Sequence, residues 1–188
     1  KDGNDATEQG LLKMLSMSGG ADFAENLGGL HLMPVAVSYE IESCGIKKAY
    51  EVYIKQMMGT YIKRPDEDLE SIVKGIIQQK GRVHVAFCKP VSEEDLKACA
   101  ALDKNERFRA LVRIIDERIL QSWRIWPVNV AAAELMTGRA PSDPHVSAEF
   151  EKYLKEELNT LPKHMVDRRS IRDILIRIYA TPALRRGL

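Results

Sequence analysis

His31, His84, His145 and His164 are the obvious candidates for acid–base or metal chemistry, and their spacing serves neither. A His-Glu-x-x-His pair would put two zinc ligands on one helix face, and the sequence contains none. Cys44, Cys88 and Cys99 are odd in number and never spaced as Cys-x-x-Cys, so neither a disulfide framework nor a zinc site is expected and a reducing compartment is. The sequence has no Gly-x-Ser-x-Gly elbow, no Gly-x-x-x-x-Gly-Lys-Ser/Thr loop and no Gly-x-Gly-x-x-Gly fingerprint, and no bound cofactor is expected. Two weaker constellations each read in two ways. Ser16-Met17-Ser18-Gly19-Gly20 offers hydroxyls and backbone amides to an anion, or is a turn between two capped helices. His164 with Asp167 is a base and its orienter, or a capping segment ahead of an arginine-rich helix.

The elements that must position such groups come from a chain of 188 residues, 45% hydrophobic and 29% charged, enough for a sizeable core. Its net charge of +1 advertises no nucleic-acid partner, although residues 1–100 are net −3 and the remainder net +4. No apolar run approaches the roughly 20 residues of a membrane-spanning helix. With no initiating Met, the chain reads as a fragment.

Asp5 with Glu8, followed by Leu11, Leu12 and Leu15, predicts a helix over Asp5 to Ser18, stopped by Gly19 and Gly20. Asp22 with Glu25 starts a short helix carrying Phe23 and Leu27. A strand follows within His31 to Ile41, with Pro34 near its end or on an edge. Ile46, Tyr50, Ile54, Met57 and Tyr61 mark one helix. After Pro65, Leu69, Ile72, Val73, Ile76 and Ile77 mark the buried face of another, with Gly81 as its left-handed stop. Val83, Val85 and Phe87 alternate in a second strand from Arg82 to Cys88. This cadence predicts an α/β domain with parallel strands joined by helical crossovers, its remaining strands upstream of Lys1. From Ser92 onward only helices are expected: one at Ser92–Ala101, one carrying Phe108 to Ile119, one opened by Pro127, then two more after a turn-rich linker from Gly138 to Pro144. The fold class is thus α/β over residues 1–91 with an all-helical extension over 92–188.

Lys1-Asp2-Gly3-Asn4-Asp5, the run Leu32-Met33-Pro34-Val35-Ala36-Val37, and Gly81-Arg82-Val83-His84-Val85-Ala86-Phe87-Cys88-Lys89-Pro90 resemble, in order and separation, successive landmarks of the glycerolphosphate and lysophosphatidic acid acyltransferase family. Lys1-Asp2-Gly3 is similar to the tail of that family's Phe-Pro-Glu-Gly-x-Arg-Ser segment. The Pro34 run resembles its fourth block, and Val83 to Pro90 resembles its Val-x-Val-x-Phe-Gly-x-Pro strand, with Cys88 in place of the usual Gly. The likeness covers roughly residues 1–91, the second half of the acyltransferase domain. The family's His-x-x-x-x-Asp is missing, because the residues five beyond the four histidines are Ala36, Lys89, Phe150 and Arg169.

The resemblance implies a partial acyltransferase sheet and an activity that moves an acyl chain from a thioester, acyl-CoA or acyl carrier protein, to the hydroxyl of a lysophospholipid or glycerol-phosphate-like acceptor. It implies acceptor-side roles for Lys1, Gly3, Met33, Pro34 and Val35, no catalytic residue in this chain, and a cytoplasmic setting, peripheral on the membrane face. Lys1 equally reads as a solvated terminal residue. The competing expectation is a non-catalytic binding or assembly module built on residues 92–188. Lys163 to Leu188 carries seven basic and two acidic residues. Its helix, with Ile171, Ile174, Leu175 and Ile178 on one face and Arg168, Arg169, Arg172 and Arg177 largely off it, is expected either at an anionic membrane surface or packed on its neighbours.

Overall fold

The computed structural model describes residues 6–17, 19–20, 22–162 and 167–188. The described elements run α1 (Gln9–Ser16), α2 (Phe23–Gly28), β1 (Val35–Tyr39), α3 (Gly45–Met58), α4 (Glu67–Ile77), β2 (Val83–Phe87), α5 (Glu93–Ala100), α6 (Glu106–Ser122), α7 (Pro127–Thr137), α8 (Pro144–Asn159) and α9 (Arg168–Arg185). The class is a helix-rich α/β one. Among described residues, one compact unit comprises Tyr39–Val83 and Ile125–Leu188, the other Ala6–Ser38 and His84–Arg124. Each unit draws on both sides of residue 91, where the sequence predicts a boundary.

The Ala6–Ser38 and His84–Arg124 unit is built around Leu12, Phe23, Leu27, Leu96, Cys99, Phe108, Leu111 and Ile115. Phe23 meets Phe108 edge to face with centroids 5.2 Å apart, and the Arg107 guanidinium lies 4.8 Å from the Phe23 centroid. The helix starts are set locally. The Asp22 carboxylate accepts the Glu25 N–H at 2.8 Å, as its spacing predicts. Ser92 and Asp95 close a reciprocal box, Asp95 N–H to Ser92 Oγ at 3.2 Å and Ser92 N–H to Asp95 Oδ2 at 2.8 Å. The expected cap at Asp5 lies outside the described residues, and α1 begins at Gln9 after Glu8, whose side chain makes no cap.

In the other unit α9 is the central element. Ile171, Leu175 and Ala180 are fully enclosed, against Ala132 and Ala133 of α7, Ile46 and Ala49 of α3, and Phe150 and Leu154 of α8. Small residues on α7 and α3 let the helices approach closely enough to fill the space between them. Pro127 stands at the first turn of α7, where its missing N–H costs nothing. Asn129 satisfies this packed interior, accepting the Trp126 N–H at 2.8 Å and donating to the Tyr179 carbonyl at 2.9 Å. The Tyr179 hydroxyl accepts the Glu42 N–H at 2.9 Å and donates to Tyr153 at 3.0 Å.

Two expectations about faces are corrected. β1 and β2 pair antiparallel, not parallel: the Glu40 N–H reaches the Arg82 carbonyl at 2.9 Å, while the Cys88 N–H reaches the Pro34 carbonyl at 2.9 Å at the other end. The helices between the strands therefore connect a hairpin-like pair across its open end and are not a right-handed crossover. On α4 the apolar stripe predicted as buried is exposed throughout, and the helix has no buried residue. The turn at Gly81 is left-handed, φ 61°, but it enters β2, since α4 already ends at Gln78.

Candidate functional site

Pro34 precedes β1, where its ring needs no N–H for the ladder, and its carbonyl accepts from Cys88. One step earlier the Leu32 carbonyl accepts the Val91 N–H at 2.8 Å, so the stretch around Pro34 is bonded along the stretch around Cys88. This register sets Val35 opposite Phe87 and Val37 opposite Val85, all on one face. That face is open: Val85 is 51% and Phe87 72% exposed, with Met33, Val35 and Val37 also exposed. On the opposite face Ala36 and Cys88 are buried. Cys88 thus occupies a packed position where the resembling pattern has Gly.

Met33, Val35, Val37, Val85 and Phe87 carry no titratable side chain, so these residues can hold an apolar chain or pack on another surface. The sequence pointed to Met33, Pro34 and Val35, and the structure sets Val37, Val85 and Phe87 beside them. Alternation placed Val85 and Phe87 on one side of a strand without saying what that side meets. Lys1 and Gly3 lie outside the described residues.

A second concavity, of about 580 Å³, lies in the other unit between α3 and α4 and includes Ser43, Cys44, Lys47, Lys48 and Ser71. Cys44 adopts φ 59°, its N–H donates to Gln78 Oε1 at 3.0 Å and its thiol faces the Ser71 carbonyl at 3.5 Å. The lysines here are already engaged, Lys47 with Glu70, Lys48 with Glu42 and Lys63 with Asp68. Such a cleft presents compensated charge to an incoming phosphate.

The interfacial reading of the arginine-rich helix is corrected. Ile171, Ile174, Leu175 and Ile178 are all buried, at most 6% exposed, so this face is committed to the protein core and cannot lie in lipid. Arg168 donates to the Leu161 carbonyl at 2.9 Å and Arg172 pairs with Glu151 at 3.7 Å, while Arg169 and Arg177 are exposed. Asp167 is a helix cap. It accepts the Arg169 and Ser170 N–H groups, and the Ser170 hydroxyl bonded to it holds its carboxyl below the usual value. His164 lies outside the described residues.

One ion pair was not anticipated from the sequence. Arg82 grips Glu40 through Nε at 3.0 Å and Nη2 at 2.6 Å, with its guanidinium 4.8 Å from the Trp126 centroid. Arg82 also depresses the Glu40 carboxyl below its ordinary value. Among the described residues no group of three or more His, Cys, Asp or Glu side chains could hold a metal ion, and no helix is long and apolar enough to cross a membrane. No family model, curated protein or solved structure matches the chain.

Proposed function

We propose that this chain is the acceptor-side part of an acyltransferase that moves an acyl group from a thioester to the hydroxyl of a lysophospholipid or glycerol-phosphate-like acceptor, working peripherally at a membrane. One observation supports the reading above the others. Two stretches that carry the acyltransferase resemblance, Leu32–Val37 and Val83–Pro90, are hydrogen-bonded neighbours and present Met33, Val35, Val37, Val85 and Phe87 as one open apolar face. Such a face suits the hydrocarbon of an acyl substrate or the apolar layer of an adjoining catalytic part.

The chemistry divides accordingly. Deprotonating the acceptor hydroxyl needs a base held by a carboxylate, which in the resembling family is His-x-x-x-x-Asp, a pattern these 188 residues do not contain. In this reading the base comes from polypeptide outside this sequence, and the residues here contribute apolar positioning.

Titration of the isotopically labelled chain with monomeric lysophosphatidate tests this. The expected result is saturable shifts at Val35, Val37, Val85 and Phe87 with no turnover of acyl-CoA. Val85→Asp should weaken binding at least about tenfold, or ~1.4 kcal/mol. Shifts absent from these residues, or unaltered by the substitution, defeat the reading.

A further inference from the structure

Residues 62–79 are tied to their own unit at both ends. Ahead of them Tyr61 meets Tyr50 of α3 edge to face, with centroids 6.3 Å apart, and after them the Lys80 carbonyl accepts the Ile41 N–H at 3.0 Å. Between these anchors lies α4, which contributes no buried residue. Its more covered side carries Glu67, Ser71, Lys74, Gly75 and Gln78, all half-buried and none with an apolar side chain, while Leu69, Ile72, Val73, Ile76 and Ile77 stand in water.

The ties that hold this segment down are correspondingly polar. Lys47 pairs with Glu70 at 3.5 Å, the Cys44 thiol donates to the Ser71 carbonyl at 3.5 Å, and the Cys44 N–H donates to Gln78 Oε1 at 3.0 Å. The Lys63–Asp68 and Arg64–Glu70 pairs lie within the segment and travel with it. Glu70 is about half exposed, and a solvated ion pair of this kind holds weakly. With no buried apolar side chain, the segment gives up little hydrophobic contact when it lifts. Helix α4 is also only 11 residues long, and a Cβ at Gly75 in its interior would meet nothing within 4 Å. Packing therefore does not call for that glycine, which weakens the helix, and so short a helix melts once it is detached. Beneath it lies the cleft of about 580 Å³ that holds Ser43, Cys44, Lys47 and Lys48, with the Cys44 thiol buried.

We propose that residues 62–79 are a strap that detaches and melts while the core around Leu175 stays folded, uncovering the Cys44 thiol and the start of α3. This does not depend on the acyltransferase reading. Alkylation of the intact chain with N-ethylmaleimide, resolved by peptide mass spectrometry, is compared with hydrogen exchange at α9 in the same buffer. Referred to the urea-unfolded chain, Cys44 should be at least ~100-fold less protected than the amides of Ile174 to Ile178, which open only with their core. Its alkylation should rise far less steeply with urea than α9 exchange does, because the strap's apolar side chains are already in water. Gln78→Ala, which removes the bond to the Cys44 N–H, should speed alkylation about fivefold, and Gly75→Ala should slow it about fivefold, with α9 exchange unchanged in both.

Equal protection of Cys44 and α9, falling together with urea, overturns the proposal, since the thiol is then reached only by unfolding the unit. So does an alkylation rate that either substitution leaves unchanged.

Discussion

Asp95 joins a helix start to a distant arginine. Its Oδ2 accepts the Ser92 N–H at 2.8 Å and Arg118 Nη2 at 2.6 Å, and Arg118 also reaches the Pro90 carbonyl at 2.9 Å. Burial pushes this carboxyl upward, yet the bonds from the Ser92 N–H, Arg118 and the Ser92 hydroxyl outweigh it and hold it below its ordinary value. The folded chain therefore binds this proton less readily than the unfolded chain does. The stabilisation is complete above the ordinary carboxylate range and is lost as pH falls through the depressed value. Asp95→Ala should cost ~2 kcal/mol in urea denaturation at pH 7, because it removes the cap and leaves the largely buried Arg118 without its carboxylate. The gap between variant and parent should narrow as the pH is lowered below the ordinary carboxylate range. A gap that stays constant with pH assigns Asp95 no electrostatic role.

Helix boundaries were legible where one residue decides them: the Asp22 and Ser92 caps, Pro127 opening α7 and Gly138 closing it with φ 70°. Faces were less legible, because periodicity says which side chains share a side and not what that side meets. Ile171, Ile174, Leu175 and Ile178 form a stripe and are buried, whereas Leu69 to Ile77 form an equally regular stripe and are exposed. The same limit holds for Val83, Val85 and Phe87, whose alternation gives a shared side and not its exposure. Strand sense was illegible too, since the two helices between β1 and β2 suit a parallel crossover as well as an open antiparallel pair. The α9 correction is itself testable. Leu175→Ala should cost ~2–5 kcal/mol, since it empties a fully enclosed position. Arg169→Gln with Arg177→Gln should change stability by less than ~0.5 kcal/mol per site. A large stability loss from the arginine pair contradicts the packing described for this helix.

Among the described residues, two sets of core residues have no member in common, one gathered around Leu111 and one around Leu175. The chain enters each unit more than once, so neither is a contiguous stretch of sequence and a composition shift cannot locate their boundary. Each unit pairs an enclosed core with an open apolar surface, the sheet face with Val85 and Phe87 in one and the α4 stripe in the other. Such surfaces are normally covered, because burying a large apolar side chain contributes ~1.5–3 kcal/mol. Separate cores also make separate thermal responses. Leu111→Ala and Leu175→Ala each remove a fully enclosed side chain, and each should destabilise chiefly the unit that holds it. Hydrogen exchange followed by mass spectrometry distinguishes the two. Leu111→Ala should accelerate exchange in α2, α5 and α6 while leaving α7 and α9 near their parental rates, and Leu175→Ala should do the reverse. Equal acceleration of both sets by either substitution makes the molecule one cooperative unit and removes the basis for treating the two cores as separate.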